Sequence, residues 1–116
     1  MNNYTKENRL IVLKELIVRL SSYFDILPEE AVELVGDVVN SLLELTKTLK
    51  AHEHDIDHPS AKQALNSIFL VINRLNATQL DCAASDLKRL HELPEDQRAQ
   101  AVEVFASFLN TLSRKE

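Results

Sequence analysis

Apolar residues recur three and four positions apart along four separate stretches of this chain. In the first they fall at Leu10, Leu13, Ile17, Leu20 and Phe24, and in the second at Ala31, Val35, Val38, Leu42, Leu45 and Leu49. The third carries Ala61, Leu65, Ile68, Ile72 and Leu75, and the last Ala101, Phe105, Phe108 and Leu112. This alternation is the a/d pattern of helices that cross at about 20° in bundles and coiled coils. A weaker run, Leu80, Ala83, Leu87 and Leu90, marks a shorter helix before the last. One glycine in 116 residues points the same way. Hairpins and tight turns draw on glycine for positive φ, so a chain with a single one is not built from strands.

The helix boundaries have local mechanisms. Thr5 can cap the first helix. Pro28, Pro59 and Pro94 each suit the first turn of a helix, where the missing N–H costs nothing. Glu29 and Glu30, and likewise Glu95 and Asp96, then lie against the positive end of a helix dipole. Asn76 to Thr78 is the expected break between the third helix and the fourth. These signals predict an all-α, four- to five-helix bundle with coiled-coil-like packing and helices over about 5–24, 28–51, 59–76, 78–91 and 94–113. The whole chain, 1–116, forms one domain, large enough for a core of its own. Gly36 falls inside the second helix, where it costs about 1 kcal/mol against Ala. The expectation is that a neighbouring helix approaches closely there. Cys82, between Asp81 and Ala83, is expected to be a small core residue.

Two stretches are more apolar than a small bundle needs. In LIVLKELIVRL (10–20), Ile11 and Val18 lie off the main stripe, and IFLVI (68–72) places Phe69 and Leu70 beside Ile68 and Ile72. Helices apolar around most of their circumference are central or lie at a subunit interface. Ile11, Val18, Phe69 and Leu70 are therefore assigned to dimer or central packing, and a homodimer is expected. In the alternative, a monomer, the fourth helix covers the extra surface.

Composition narrows the function classes. The formal net charge is −5, which argues against nucleic acid and against anionic membranes as partners. The lone cysteine excludes an internal disulfide, the first residues are polar, and no stretch is long and apolar enough to span a bilayer. A cytoplasmic protein is expected. The segment DILPEEAVELVGD carries Asp25, Glu29, Glu30, Glu33 and Asp37 and no basic residue. These five are the candidate partner-binding residues, an acidic rim presented to another protein.

Enzymatic chemistry finds little footing. GDVV around Asp37 is similar to the second metal-binding motif of the all-α nucleotide pyrophosphohydrolases, a helical E-x-x-D. Here Leu34 stands at the glutamate position and the first helix has no E-x-x-E pair. KAHEHDIDHP (50–59) holds three of the four histidines, His52, His54 and His58. Residues two apart on a helix point away from each other, and Pro59 separates His54 from His58, so the stretch is expected to be a helix end, a turn and a new cap. No catalytic residue, cofactor or metal is expected, with His52, His54 and His58 as the alternative metal ligands. The expected function is that of a non-enzymatic protein-binding module, a small regulator, adaptor or inhibitor. The alternatives are a metal-dependent hydrolase using Glu30, Glu33 and Asp37 with the histidine turn, and a structural assembly subunit.

Overall fold

The computed structural model describes the backbone of residues 6–76 and 78–113, and the side chains of 10–76 and 78–112. Five α-helices follow one another: α1 (Lys6–Phe24), α2 (Pro28–Ala51), α3 (Pro59–Leu75), α4 (Thr78–Ala83) and α5 (Glu95–Ser113). A 3₁₀ helix, Ser85–Glu92, separates α4 from α5. No strand occurs among the described residues, and none of their helices is long and apolar enough to cross a membrane. The molecule is a helical bundle, as the three-and-four spacing predicts. Its central member is α2, which packs against α1, α3 and α5. The shortest dimension is 20 Å, room for two layers of helices at the usual interaxial distance of about 8–10 Å.

The caps do what their residue types allow. Pro28 opens α2, and Leu27 before it is extended (φ −72°, ψ 151°). Leu27 has no side-chain acceptor, so only half of a capping box forms: its N–H donates to Glu30 Oε1 at 3.3 Å. Pro59 opens α3, and His58 caps it, its Nδ1 accepting from Ser60 N–H at 3.1 Å. Pro94 falls one residue outside α5, where its carbonyl accepts the first helical bond from Arg98 N–H at 2.9 Å. Thr5 lies outside the described residues. α3 ends at Asn76 in the left-handed region (φ 52°), with its N–H bonded to Ile72 O. Asparagine tolerates that conformation, so the third and fourth helices are separate, as expected. Asp25 turns the chain from α1 to α2 with φ 53°.

The fourth helix is shorter than the expected 78–91. α4 ends at Ala83, and the chain tightens to 3₁₀ with a kink at Arg89 (φ −112°, ψ 20°). Ala84, Leu87 and Leu90 are buried, whereas Ala83 is only half-buried. A spacing of three matches the three residues per turn of a 3₁₀ helix, which stacks all three on one side. Cys82 is exposed rather than in the core, because the wall of this segment is built by Leu80 and Ala84.

The core confirms two stripes and rotates two. In α3 all five expected residues are buried, and in α5 all four, joined by Ala64, Val102 and Leu109. In α1 the buried row is Val12, Leu16 and Leu20. Leu13 and Ile17 are at its edge, and Leu10 and Phe24 are exposed. In α2, Val39 and Thr46 are buried where Val38 and Leu45 were expected, and the latter two pack at the margin. Both rotated helices are apolar over more than one face, so the spacing alone does not choose which side turns inward. Thr46 is the buried polar residue among those described, and it is satisfied: its hydroxyl donates to Leu42 O at 2.7 Å.

Gly36 makes no close approach. It is on the exposed side of α2, and a methyl group built on it meets nothing within 4 Å. Gly36→Ala should therefore stabilise the fold by about 0.5–1 kcal/mol through helix propensity alone. Urea denaturation checks this. A loss of stability would mean that something packs on Gly36.

Candidate functional site

The five acidic candidates are all exposed, and they occupy the corner and outer side of α2. Ala31, Val35, Val39 and Leu42 face inward. At 100° per residue, Glu33 and Asp37 therefore project opposite the core, with Glu29 and Glu30 flanking them. Two of the five have local duties, since Glu30 holds Leu27 N–H and Asp25 forms the turn. Among the described residues none of the five pairs with a basic side chain, whereas Glu44 on α2 and Glu103 on α5 do so. Lys47 meets Glu44 at 3.5 Å, and Lys50 bridges from α2 to Glu103 on α5 at 3.0 Å. The hydrogen bond that Lys50 donates to Glu103 raises the Lys50 pKa above its usual value, aided by the charges of Glu103 and Glu53. The outer face of α2 is thus a patch of uncompensated negative charge beside a compensated one.

The four apolar candidates separate. Ile11 and Val18, seven residues apart on one side of α1, are 57% and 63% exposed. Leu70 is exposed on α3, and Phe69 is half-buried against the core. α4 does not cover the outer face of α1. It docks on the flank of that helix, where Glu15 Oε1 accepts from Gln79 N–H at 3.3 Å. That carboxylate, 64 residues away in sequence, serves the first turn of α4 in place of a local cap. A second exposed apolar feature is the groove at the end of α1, where Tyr23 and Phe24 meet edge to face at 4.8 Å beside Val38, Val71 and Arg74. Phe24, read from its spacing as a core residue, helps to form that groove.

The histidines gather at the opposite end of α2. His52 ends the helix, its N–H bonded to Leu49 O, and its Nδ1 lies 3.1 Å from Asp55 Oδ1. The His52 and His58 rings stack with centroids 4.2 Å apart and planes 17° from parallel. His54 turns away and hydrogen-bonds Glu95 in the first turn of α5. His91 reaches Asp57 at 3.4 Å. One ligand atom from each of His52, Asp55 and His58 lies within 4.8 Å of the others. The structure therefore brings together two of the three histidines chosen from sequence and replaces His54 by Asp55. The missed signal is H-x-x-D-x-x-H, whose first and last residues stack because two tight turns fold the chain back on itself.

The hydrolase arrangement does not assemble. Asp37 and His52 are fifteen residues apart on one helix and its cap, roughly 22 Å at about 1.5 Å per residue. No single ion can touch both the acidic face and the histidine turn. Comparison with known proteins gives no match to a protein family, to a curated protein or to a solved structure.

Proposed function

We propose that this chain is a non-enzymatic protein-interaction module that works as a homodimer, pairing through the outer face of α1 and offering the acidic outer face of α2 to a basic partner protein. The observation that carries the reading is the exposure of Ile11 and Val18. Two large aliphatic side chains on one face of α1 stay more than half exposed, while Val12, Leu16 and Leu20 on its other side are buried to a few per cent. In a molecule two layers thick, no helix among the described residues covers them. A second copy supplies the missing layer, and apolar burial of about 25 cal/mol per Å² favours it. The groove by Tyr23 and Phe24 is a separate apolar feature directly before Asp25 in the chain, so an apolar anchor and an acidic rim adjoin for a partner. The exposed Cys82 suits a reducing compartment, and the cytoplasm is the proposed location.

Sedimentation velocity over a concentration series tests the dimer. The wild-type chain should sediment as a dimer, and the double variant Ile11→Asp, Val18→Asp as a monomer with unchanged far-UV circular dichroism. A wild-type monomer at every concentration overturns the reading. Glu33→Lys with Asp37→Lys should leave the dimer intact. If that pair dissociates it, the two faces are one interface and the separate partner surface falls.

A further inference from the structure

We propose that His52, Asp55 and His58 form a binding site for a divalent transition-metal ion of the Zn²⁺ type. The site is built by the turn that joins α2 to α3. Asp55 N–H donates to His52 O at 3.0 Å, and His58 N–H to Asp55 O at 2.8 Å. Each i→i+3 bond closes a tight turn, and the two turns share Asp55, so the chain folds back on itself between α2 and α3. That fold-back gathers the row His52, Asp55 and His58, with the two imidazole rings stacked 4.2 Å apart and Asp55 against His52. The turn is anchored from below by Ile56, which is buried, and it is followed at once by Pro59, which opens α3. The intervening His54 and Asp57 are held elsewhere, by Glu95 and His91. Two imidazoles and a carboxylate are a donor set suited to zinc and its neighbours, and a tetrahedral ion would keep its fourth position for water.

The distances allow it. A tetrahedral ion with ligand bonds of about 2.1 Å holds its donors about 3.4 Å from one another. The donors here lie within 4.8 Å, and Asp55 and His58 are exposed, so side-chain rotation closes the difference without moving the backbone. His52 is already oriented. Its Nδ1 already lies 3.1 Å and 3.2 Å from the two Asp55 carboxylate oxygens, so an ion that replaces the proton between them is held by Nδ1 and the carboxylate together.

His58 links the site to the fold. Its Nδ1 accepts from Ser60 N–H. If the ion binds Nδ1, it takes that lone pair. If it binds Nε2, the neutral ring carries its proton on Nδ1 and can no longer accept. Either way the Ser60 amide loses its cap when the ion enters. Metal binding is thereby coupled to the first turn of α3, and it has a signature that surface adsorption lacks.

The test uses the untagged full chain, titrated with Zn²⁺ against a competing colorimetric chelator. One Zn²⁺ should bind per chain. His52→Ala and His58→Asn should each weaken binding about ten-fold or more. Asparagine is itself a good N-cap, so the second variant keeps α3 capped while removing the imidazole. His54→Ala should bind within about two-fold of wild type, since His54 is outside the row. In an amide-resolved NMR titration the Ser60 resonance should shift in step with occupancy. The proposal is overturned if the wild-type chain binds no more Zn²⁺ than the His52→Ala, His58→Asn double variant. It is overturned equally if His54→Ala weakens binding as much as His52→Ala, or if Ser60 stays unmoved at saturation.

Discussion

Phe105→Ala should lower the unfolding free energy by about 3–5 kcal/mol. Phe105 is fully enclosed, the largest kind of side chain in this core, on the face of α5 that packs against α2. Truncating it removes the transfer free energy of the ring and leaves a cavity. Neighbours such as Phe108 and Leu109, themselves in close packing, can fill that cavity only in part. A domain of this size has about 5–15 kcal/mol of stability in all, so the variant keeps a fold only if the parent lies well inside that range. In urea the midpoint should fall with the slope unchanged. Phe24→Ala is the matched comparison. The same ring is removed from an exposed position, and the loss should stay near 0.5 kcal/mol. Equal losses at the two positions would mean that α5 does not pack on α2 as described.

Ile72→Ala should cost about 2–5 kcal/mol, and Leu70→Ala, two residues away, no more than about 0.5 kcal/mol. The two side chains belong to one apolar stretch, IFLVI, yet Ile72 is 1% exposed and Leu70 52%. Successive residues of a helix are 100° apart, so positions two apart point to nearly opposite sides. Ile72 belongs with Ile68, Ala64 and Leu65 in the packed face, and its truncation opens a cavity between α3 and α2. Leu70 gives up only contact with water. Thermal unfolding of the two variants side by side reads the difference as a separation of about 10 °C or more. If Leu70→Ala proves the costlier, α3 is turned on its axis relative to this structure.

The same stretch shows what a pattern of apolar residues can and cannot convey. In α3 and α5 the polar residues are frequent enough to mark a wet face, and the buried rows match the three-and-four spacing residue for residue. In α1 the run LIVLKELIVRL offers two acceptable stripes. The one through Leu10 and Phe24 is as regular as the one through Val12, Leu16 and Leu20 that is buried. Regularity within one helix holds no information about which neighbour lies on which side. α2 is rotated by the same ambiguity, since three helices pack on it and its margins are apolar as well. Gly36 is a case of the same kind: the residue allows a close approach, but only the position of another helix could make one.

The candidate sites divide along the same line. The acidic face of α2 was legible, because acids clustered at a helix start repeat on one side whatever the helix packs against. That Glu30 and Asp25 also serve the cap and the turn was only partly so. The row of His52, Asp55 and His58 was not legible. Its alignment depends on a turn wound by i→i+3 bonds, and HEHDIDH read as a helix end sends the three side chains in different directions.

By itself the sequence determined the class of fold, the number of helices to within one, most of their ends and the charge of the outer face of α2. Each of these rests on energies local to a few residues: a proline at a first turn, a carboxylate against a dipole, an asparagine that accepts positive φ, a periodic row that must leave water. Only the tertiary structure decided which side of α1 and α2 turns inward, that residues 85–92 tighten to a 3₁₀ helix, and that Glu15 serves a helix start 64 residues away. Those outcomes are set by contacts between segments distant in the chain. The free energy of such contacts depends on where every other helix has already packed.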